Sequence, residues 1–295
     1  MTALATVLAL LSAATFAVST SVQHQVAGTA PASARGPLGL IVHLFSRPLW
    51  VLGQLFALVG FGLHALALHY GQIAVVQPIV ISGIVFAVPA RAAISRRLPS
   101  RAELQAVSLT ALGLAVFLVA SNPTEGLDTG LGARALVLTG AGVATALLAA
   151  AVARGSARAS RRAFLLGVTS GVLFGLVAGL LKMSLQELAS GGLLAMLAAW
   201  PTWGLVVVGG AGVVTNQVAY RIARLSTSMP VLNIVDGLVA LTFGFFVFQE
   251  VPRHSPLLVV VQAAALACVA LGLWVVARLE DEPVEQELER VRSRR

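Results

Sequence analysis

Nine times along its 295 residues the chain runs for about twenty positions with almost no formal charge. That is the length a helix needs to cross a hydrocarbon layer of about 30 Å. The runs are Ala3–Gln25, Pro48–His69, Gln72–Ile94, Ala102–Ser121, Gly132–Ala153, Ala163–Leu188, Pro201–Arg224, Ser226–Gln249 and Pro256–Arg278. With 58% hydrophobic and 11% charged residues, the apolar side chains cannot all hide behind a polar shell; ordinary soluble domains carry about 25% charged residues. The sequence therefore predicts an all-α, polytopic helical membrane protein of about nine spans. One transmembrane domain is expected over residues 1–279, with halves near 1–122 and 131–279, followed by a charged tail over 280–295.

The charges orient the bundle. With nine spans and the N-terminus outside, 17 of the 20 basic residues fall in inner segments, and only Arg134, Lys182 and Arg253 fall outside. This asymmetry is the positive-inside pattern, so a multi-pass protein of the cell membrane with a cytoplasmic C-terminus is expected. The short apolar segment Gly36–Ser46 reads as an interfacial or half-inserted helix, with a tenth span as the alternative. A cleavable leader is a rival reading of the first run, because Ala32-Ser33-Ala34 resembles a cleavage site. No Lys or Arg precedes the apolar stretch, however, and a leader wants a basic start. The single cysteine, Cys268, excludes an internal disulfide and reads as a small packed hydrophobe.

A repeat links the second and third runs to the seventh and eighth. Pro48-Leu49-Trp50 and Pro201-Thr202-Trp203 each open a run, and each is followed at similar spacing by a proline within the next run, Pro78 and Pro230. A further proline closes each unit, Pro99 and Pro252. Five spans separate the copies, so the two units would cross the bilayer in opposite directions. Inverted repeats of this kind are typical of secondary transporters, where two half-bundles rock around a central site.

The stretches Ala65-Leu66-Ala67-Leu68-His69-Tyr70-Gly71 through Val76-Gln77-Pro78, and Tyr220-Arg221-Ile222-Ala223 through Thr227-Ser228-Met229-Pro230-Val231-Leu232-Asn233, closed by Phe248-Gln249-Glu250, resemble the drug/metabolite transporter superfamily. The nine-span layout, with Lys182 and Glu187 near the end of the sixth run, is closest to its NIPA-like magnesium transporter and EamA-like branch. The resemblance implies an inverted-repeat bundle that moves a small polar solute, with Mg²⁺ as the branch's substrate. It departs at Arg96-Arg97-Leu98, where many members carry the glutamate that Glu250 supplies in the second copy.

Polar residues inside the runs mark candidate sites, since hydrocarbon tolerates them only with a reason. Six of the twelve acids lie between Glu280 and Glu289, and Glu103, Glu125, Asp128, Glu187 and Glu250 lie at or near run ends. Asp236 is then the one acid expected at depth. Asn233 shares its helical face, and Gly237 leaves room beside it. Asn216, Gln217 and Tyr220 cluster in the seventh run, and His64 stands at the matching place in the opposing repeat. Gln77 precedes a helix-breaking proline. In the first run Ser12, Thr15, Ser19 and Gln23 form a stripe, with Ser19 and Gln23 the better candidates to face a cavity. Ser12 and Thr15 could equally satisfy carbonyls of their own helix. Lys182 is expected at the outer interface with its ammonium solvated, ahead of a substrate contact or an ion pair with Asp236. Gly167, Gly171, Gly175 and Gly179, four apart, predict a groove for close helix packing.

A substrate site built on Asp236, Asn233, Asn216, Gln217, Tyr220, Gln77, His64, Gln23 and Ser19 is thus expected. The expected partners are the lipid bilayer and a small-molecule or ion substrate; pairing into a homodimer is left open, and neither nucleic acid nor a cofactor is expected. Mg²⁺ prefers several hard oxygen ligands, which one deep Asp with amide oxygens supplies poorly, so only Asp236 stands as a candidate cation ligand. An enzyme is not expected, because the Arg clusters lack the acids that metal or nucleophilic chemistry would need; anionic lipid headgroups suit them better. A non-transporting helper or scaffold subunit and a flippase for lipid-linked substrates are the alternatives.

Overall fold

In lipid a Leu-, Ala- and Val-rich segment can satisfy its backbone N–H and C=O groups only by forming a helix or a closed barrel. The computed structural model describes residues 3–28, 36–83, 85, 86, 88, 98–121, 126, 131–222, 225–251 and 255–293, and these contain helices and no strand. The helices are α1 (Ala3–Gly28), α2 (Gly36–Phe45), α3 (Pro48–Tyr70), α4 (Ile73–Ile81), α5 (Arg101–Ser121), α6 (Gly132–Arg154), α7 (Ala159–Ala198), α8 (Trp200–Ile222), α9 (Leu225–Phe243) and α10 (Pro256–Ser293). Among the described residues eight helices are long and apolar enough to cross a membrane. Large apolar side chains face outward along them, including Leu58 at 66%, Val119 at 79% and Val207 at 69% exposed. A surface of that kind is untenable in water and ordinary in lipid. The chain has the architecture of a multi-pass integral membrane protein.

The expected third run, Gln72–Ile94, is not a continuous span over its described part. The helix α4 covers nine residues and stops at Ile81. Ser82 Oγ donates to the Ile79 carbonyl, and Gly83 N closes a tight turn on Val80 O. Gly83 also presses on α1, since a Cβ there would stand 3.0 Å from the Ala13 carbonyl oxygen. The turn and this close approach explain the break. Ile84, Ala87 and residues 89–97 lie outside the described part.

One other expectation changes, and one alternative is removed. The sixth run does not end at Leu188: α7 continues to Ala198, with a kink at Gly192, whose φ of 75° only glycine adopts freely. The short piece beyond the kink is tied back by Thr202 Oγ1 donating to Met196 O and Trp203 Nε1 donating to Leu197 O. The segment Gly36–Ser46 does not cross the bundle. The contacts of Ser19 with Gly53, Ser12 with Gly60 and Ala5 with Gly71 show α1 and α3 running antiparallel, so the chain between them leaves and re-enters at one end.

Helix α7 is the centre of the bundle. Over its most apolar 18-residue stretch 78% of the residues are buried, against 22–39% for the corresponding stretches of the other seven. The glycine ladder faces α9: a Cβ on Gly171 would stand 2.6 Å from Leu232 O, and one on Gly175 2.7 Å from Asp236 O, while Gly179 lies against the Phe243 ring. Gly167 is buried one turn earlier. On the far side α5 packs along α10 through Gly113, which meets Ala265 and Cys268, and through Gly272, which meets Thr110. Cys268 is a free, half-buried packing residue. The helix α10 runs unbroken from its span into the charged tail, through Ser293.

Candidate functional site

The most deeply buried charge in the described structure is Glu250, not Asp236. The end of α9 loosens into a π-helical turn over Gly244–Phe248, and Gln249 then takes a left-handed conformation (φ 56°, ψ 35°). For a non-glycine residue this is strained by about 1–3 kcal/mol. The reversal turns the following side chain inward, and the Glu250 carboxylate has no exposed surface. Its Oε1 accepts from Ile73 N at 3.1 Å and its Oε2 from Ala74 N at 2.9 Å, which caps the otherwise unpaired N–H groups at the start of α4. Lys182 Nζ donates to Oε1 at 2.5 Å and also lies 4.7 Å from the centre of the Phe248 ring. Lys182 is therefore paired with Glu250 and not with Asp236, and only a small part of its side chain is exposed. Its long stem turns into the bundle because a fixed acid waits there.

A cavity of about 1300 Å³ lies over this pair. Its walls are helix ends: the start of α1 at Ala5 and Thr6, the end of α3 at His69 and Tyr70, the start of α6 at Gly132, and the start of α8 at Trp200. Lys182 lines it with 13% of its side chain exposed, and the exposed Glu187 lines it further along α7.

Four residues along α4 from its capped start, about 6 Å at 1.5 Å per residue, lies a second polar group. Gln77 Nε2 donates to Asp236 Oδ1 at 2.8 Å. His64, edge-on to Phe16 at 6.4 Å between ring centres, adjoins the same Gln77. Gln77 and His64 are 2% and 6% exposed, and among the described residues Gln77 Oε1 and His64 Nε2 have no hydrogen-bond partner. Three of the expected site residues, from α3, α4 and α9, thus meet in the interior. Asp236 alone does not carry the site.

Three more meet at the opposite end of the helices from the cavity. Gln217 Nε2 donates to Gln23 Oε1 at 2.7 Å, Gln23 Nε2 donates to Ser19 Oγ at 2.8 Å, and Ser19 Oγ donates to Gly53 O at 2.8 Å. Trp50 Nε1 donates to Gln217 Oε1 at 3.4 Å. This chain ties α1 and α3 to α8 and leaves Gln23 and Gln217 buried. The first-run stripe therefore divides: Ser12 and Ser19 bond the backbone of α3, whereas Thr15 bonds the Leu11 carbonyl of its own helix.

The remaining expected residues stand apart from both groups. Asn216 is half-buried, and its Oδ1, buried, has no protein partner. Asn233 lines a small apolar gap of about 80 Å³ among α4, α9 and α10, beside Pro78 and Gly237. The Tyr220 side chain lies outside the described residues. None of the eight expected substrate residues with described side chains lines the large cavity. What sequence reasoning missed was Glu250 with Lys182. The usable signal was parity: Lys182 closes the sixth run and Glu250 the eighth, so both lie at one end of the bundle with opposite charge.

No family model matches the chain, and no solved structure matches it. The chain is similar to an uncharacterized protein of Corynebacterium glutamicum, 27% identical over 254 residues that cover 84% of this chain and 85% of the relative. The likeness extends over most of both chains, so it concerns the membrane bundle as a whole.

Proposed function

We propose that the protein is a secondary transporter for a small polar solute, not an enzyme, and that it works by alternating access with a bundle of the drug/metabolite transporter type. The observation that carries this reading is a one-sided path. A large cavity ends on Lys182, with Glu250 buried behind it, the polar trio His64, Gln77 and Asp236 follows about one turn deeper along α4, and the far end is tied shut through Gln23 and Gln217. Such an arrangement is one of the two states that alternating access requires.

Repeated packing supports the inverted repeat. In the first half α1 packs on α3 and α4; in the second, α7 packs on α8 and α9. The glycine ladder of α7 has a counterpart in α1, where Ala5, Ala9, Ala13 and Ala17 are buried four residues apart. On the nine-span reading of the sequence the two units would point in opposite directions, and the basic loops would face the cytoplasm together with the C-terminus. Mg²⁺ is a poor match for the cavity floor, whose deep charge is a paired ammonium. A metabolite with polar groups suits it better.

Purified protein in proteoliposomes, preloaded with a panel of amino acids, nucleotides and Mg²⁺, is expected to show counterflow of at least one solute. Silence across the panel would sink the proposal. Asp236→Asn is expected to abolish the dependence of that flux on a pH gradient while leaving the bundle folded; wild-type gradient dependence in this variant would remove Asp236 from the coupling step. Gln217→Ala deletes two hydrogen bonds of the far-end tie, each contributing about 1 kcal/mol. In a Cys268→Ala background, maleimide labelling of a cysteine introduced by Val22→Cys, half-buried beside Gly53 and outside the hydrogen-bonded chain, is then expected to rise about tenfold. Unchanged labelling would show that the tie is packing and not a gate.

A further inference from the structure

We infer that the cavity binds the carboxylate of a monoanionic solute with an uncharged, largely apolar body, and that Lys182 is the residue that holds it. This deepens the transport reading above and rests on it for the purpose of binding. The first ground is that Lys182 is spare. Glu250 keeps two charge-assisted bonds, from Ile73 N and Ala74 N, and the favourable end of the α4 dipole when Lys182 turns away. Removing most cations from a buried acid leaves it stranded, but this acid has a backbone cradle of its own.

The second ground is where the ammonium sits. It lines the cavity with part of its surface exposed, and among described residues its one hydrogen-bond partner is Glu250, which leaves two of its three N–H groups for a ligand. The third is charge balance. Among the described lining residues Lys182 is the single Lys or Arg, already half-neutralised by Glu250, and Glu187 stands on the same wall. Both anions would meet the same shared cation and the same acids, so the dianionic phosphate is repelled more than a single carboxylate. Finally, Leu185 and Trp200 give the wall apolar and aromatic surface beside the uncharged polar groups of Thr6, Gln72 and Ser190, which suits an uncharged body.

The test uses the full-length protein in detergent, with benzoate and hexanoate each compared with its own amide, and inorganic phosphate as the third arm, by titration calorimetry. The carboxylates are expected to bind at least tenfold tighter than the amides, with phosphate weaker than both carboxylates. Lys182→Gln should remove that preference, and Lys182→Arg should keep it. Equal binding of acid and amide to the wild-type protein overturns the inference whether or not the variants fold; so does tighter binding of phosphate, or an unchanged preference in folded Lys182→Gln. The two readings separate cleanly. Carboxylate preference without counterflow of any solute leaves the site and removes transport, while counterflow without carboxylate preference leaves transport and removes the site.

Discussion

Glu250→Ala is expected to destabilise the bundle by about 3–5 kcal/mol, the usual cost of removing one partner from a buried ion pair. The size follows from what is left behind. Lys182 would keep its charge among Phe248 and the neighbouring apolar side chains, and Ile73 N and Ala74 N would lose their acceptor at the start of α4. Glu250→Gln should cost less, because an amide oxygen still accepts from one of those N–H groups. The double variant Lys182→Met with Glu250→Leu should recover part of the loss of Glu250→Ala, since it removes the stranded charge while leaving the α4 cap empty. Unfolding of the purified variants in one detergent, followed by circular dichroism, orders them. If Glu250→Ala melts with the wild type, the carboxylate is not the keystone of this end of the bundle.

Gly175→Ala is the second large effect, although it adds a single methyl. A Cβ at this position would fall 2.7 Å from the backbone oxygen of Asp236 and 2.6 Å from Val239 Cβ. A backbone carbonyl cannot rotate out of the way as a side-chain end can, so α7 and α9 must separate. Overpacking of this kind costs about 1–3 kcal/mol, and here it displaces the backbone of Asp236, whose side chain accepts from Gln77 at 2.8 Å across the neighbouring contact of α9 with α4. Gly210→Ala is the matched control, because no atom beyond its own helix lies within 4 Å of the new methyl. We expect thermal stability and solute flux to fall in the first variant and to hold in the second. Equal behaviour of the two would show that the ladder is not a tight contact.

Part of the buried polar network was legible in the sequence, and what was missed has a physical cause. Gln77, His64 and Asp236 stand out because an amide, an imidazole and a carboxylate in apolar runs need partners, and the fold supplies some of them from one another. Gln23 and Gln217 stand out for the same reason, yet their role at the far end, away from the cavity, depends on which helix ends meet. Glu250 was set aside because it follows the last residue of a run, where an acid normally meets water. One strained residue, Gln249, reverses that assignment by turning the next side chain inward. No pattern of residue types announces such a turn.

Helical character, membrane solvent and the close packing of α7 followed from the sequence by itself, because each depends on the type and period of residues along one segment. Charge-poor runs of twenty residues admit little else in lipid, and glycines four apart lie on one face of any helix. The tertiary structure alone decided that α4 stops after nine residues, that α2 stays at one end, and that Lys182 reaches Glu250 across 68 positions of sequence. These depend on distances between segments, and a charge in a low-dielectric interior takes its meaning from the partner it meets there.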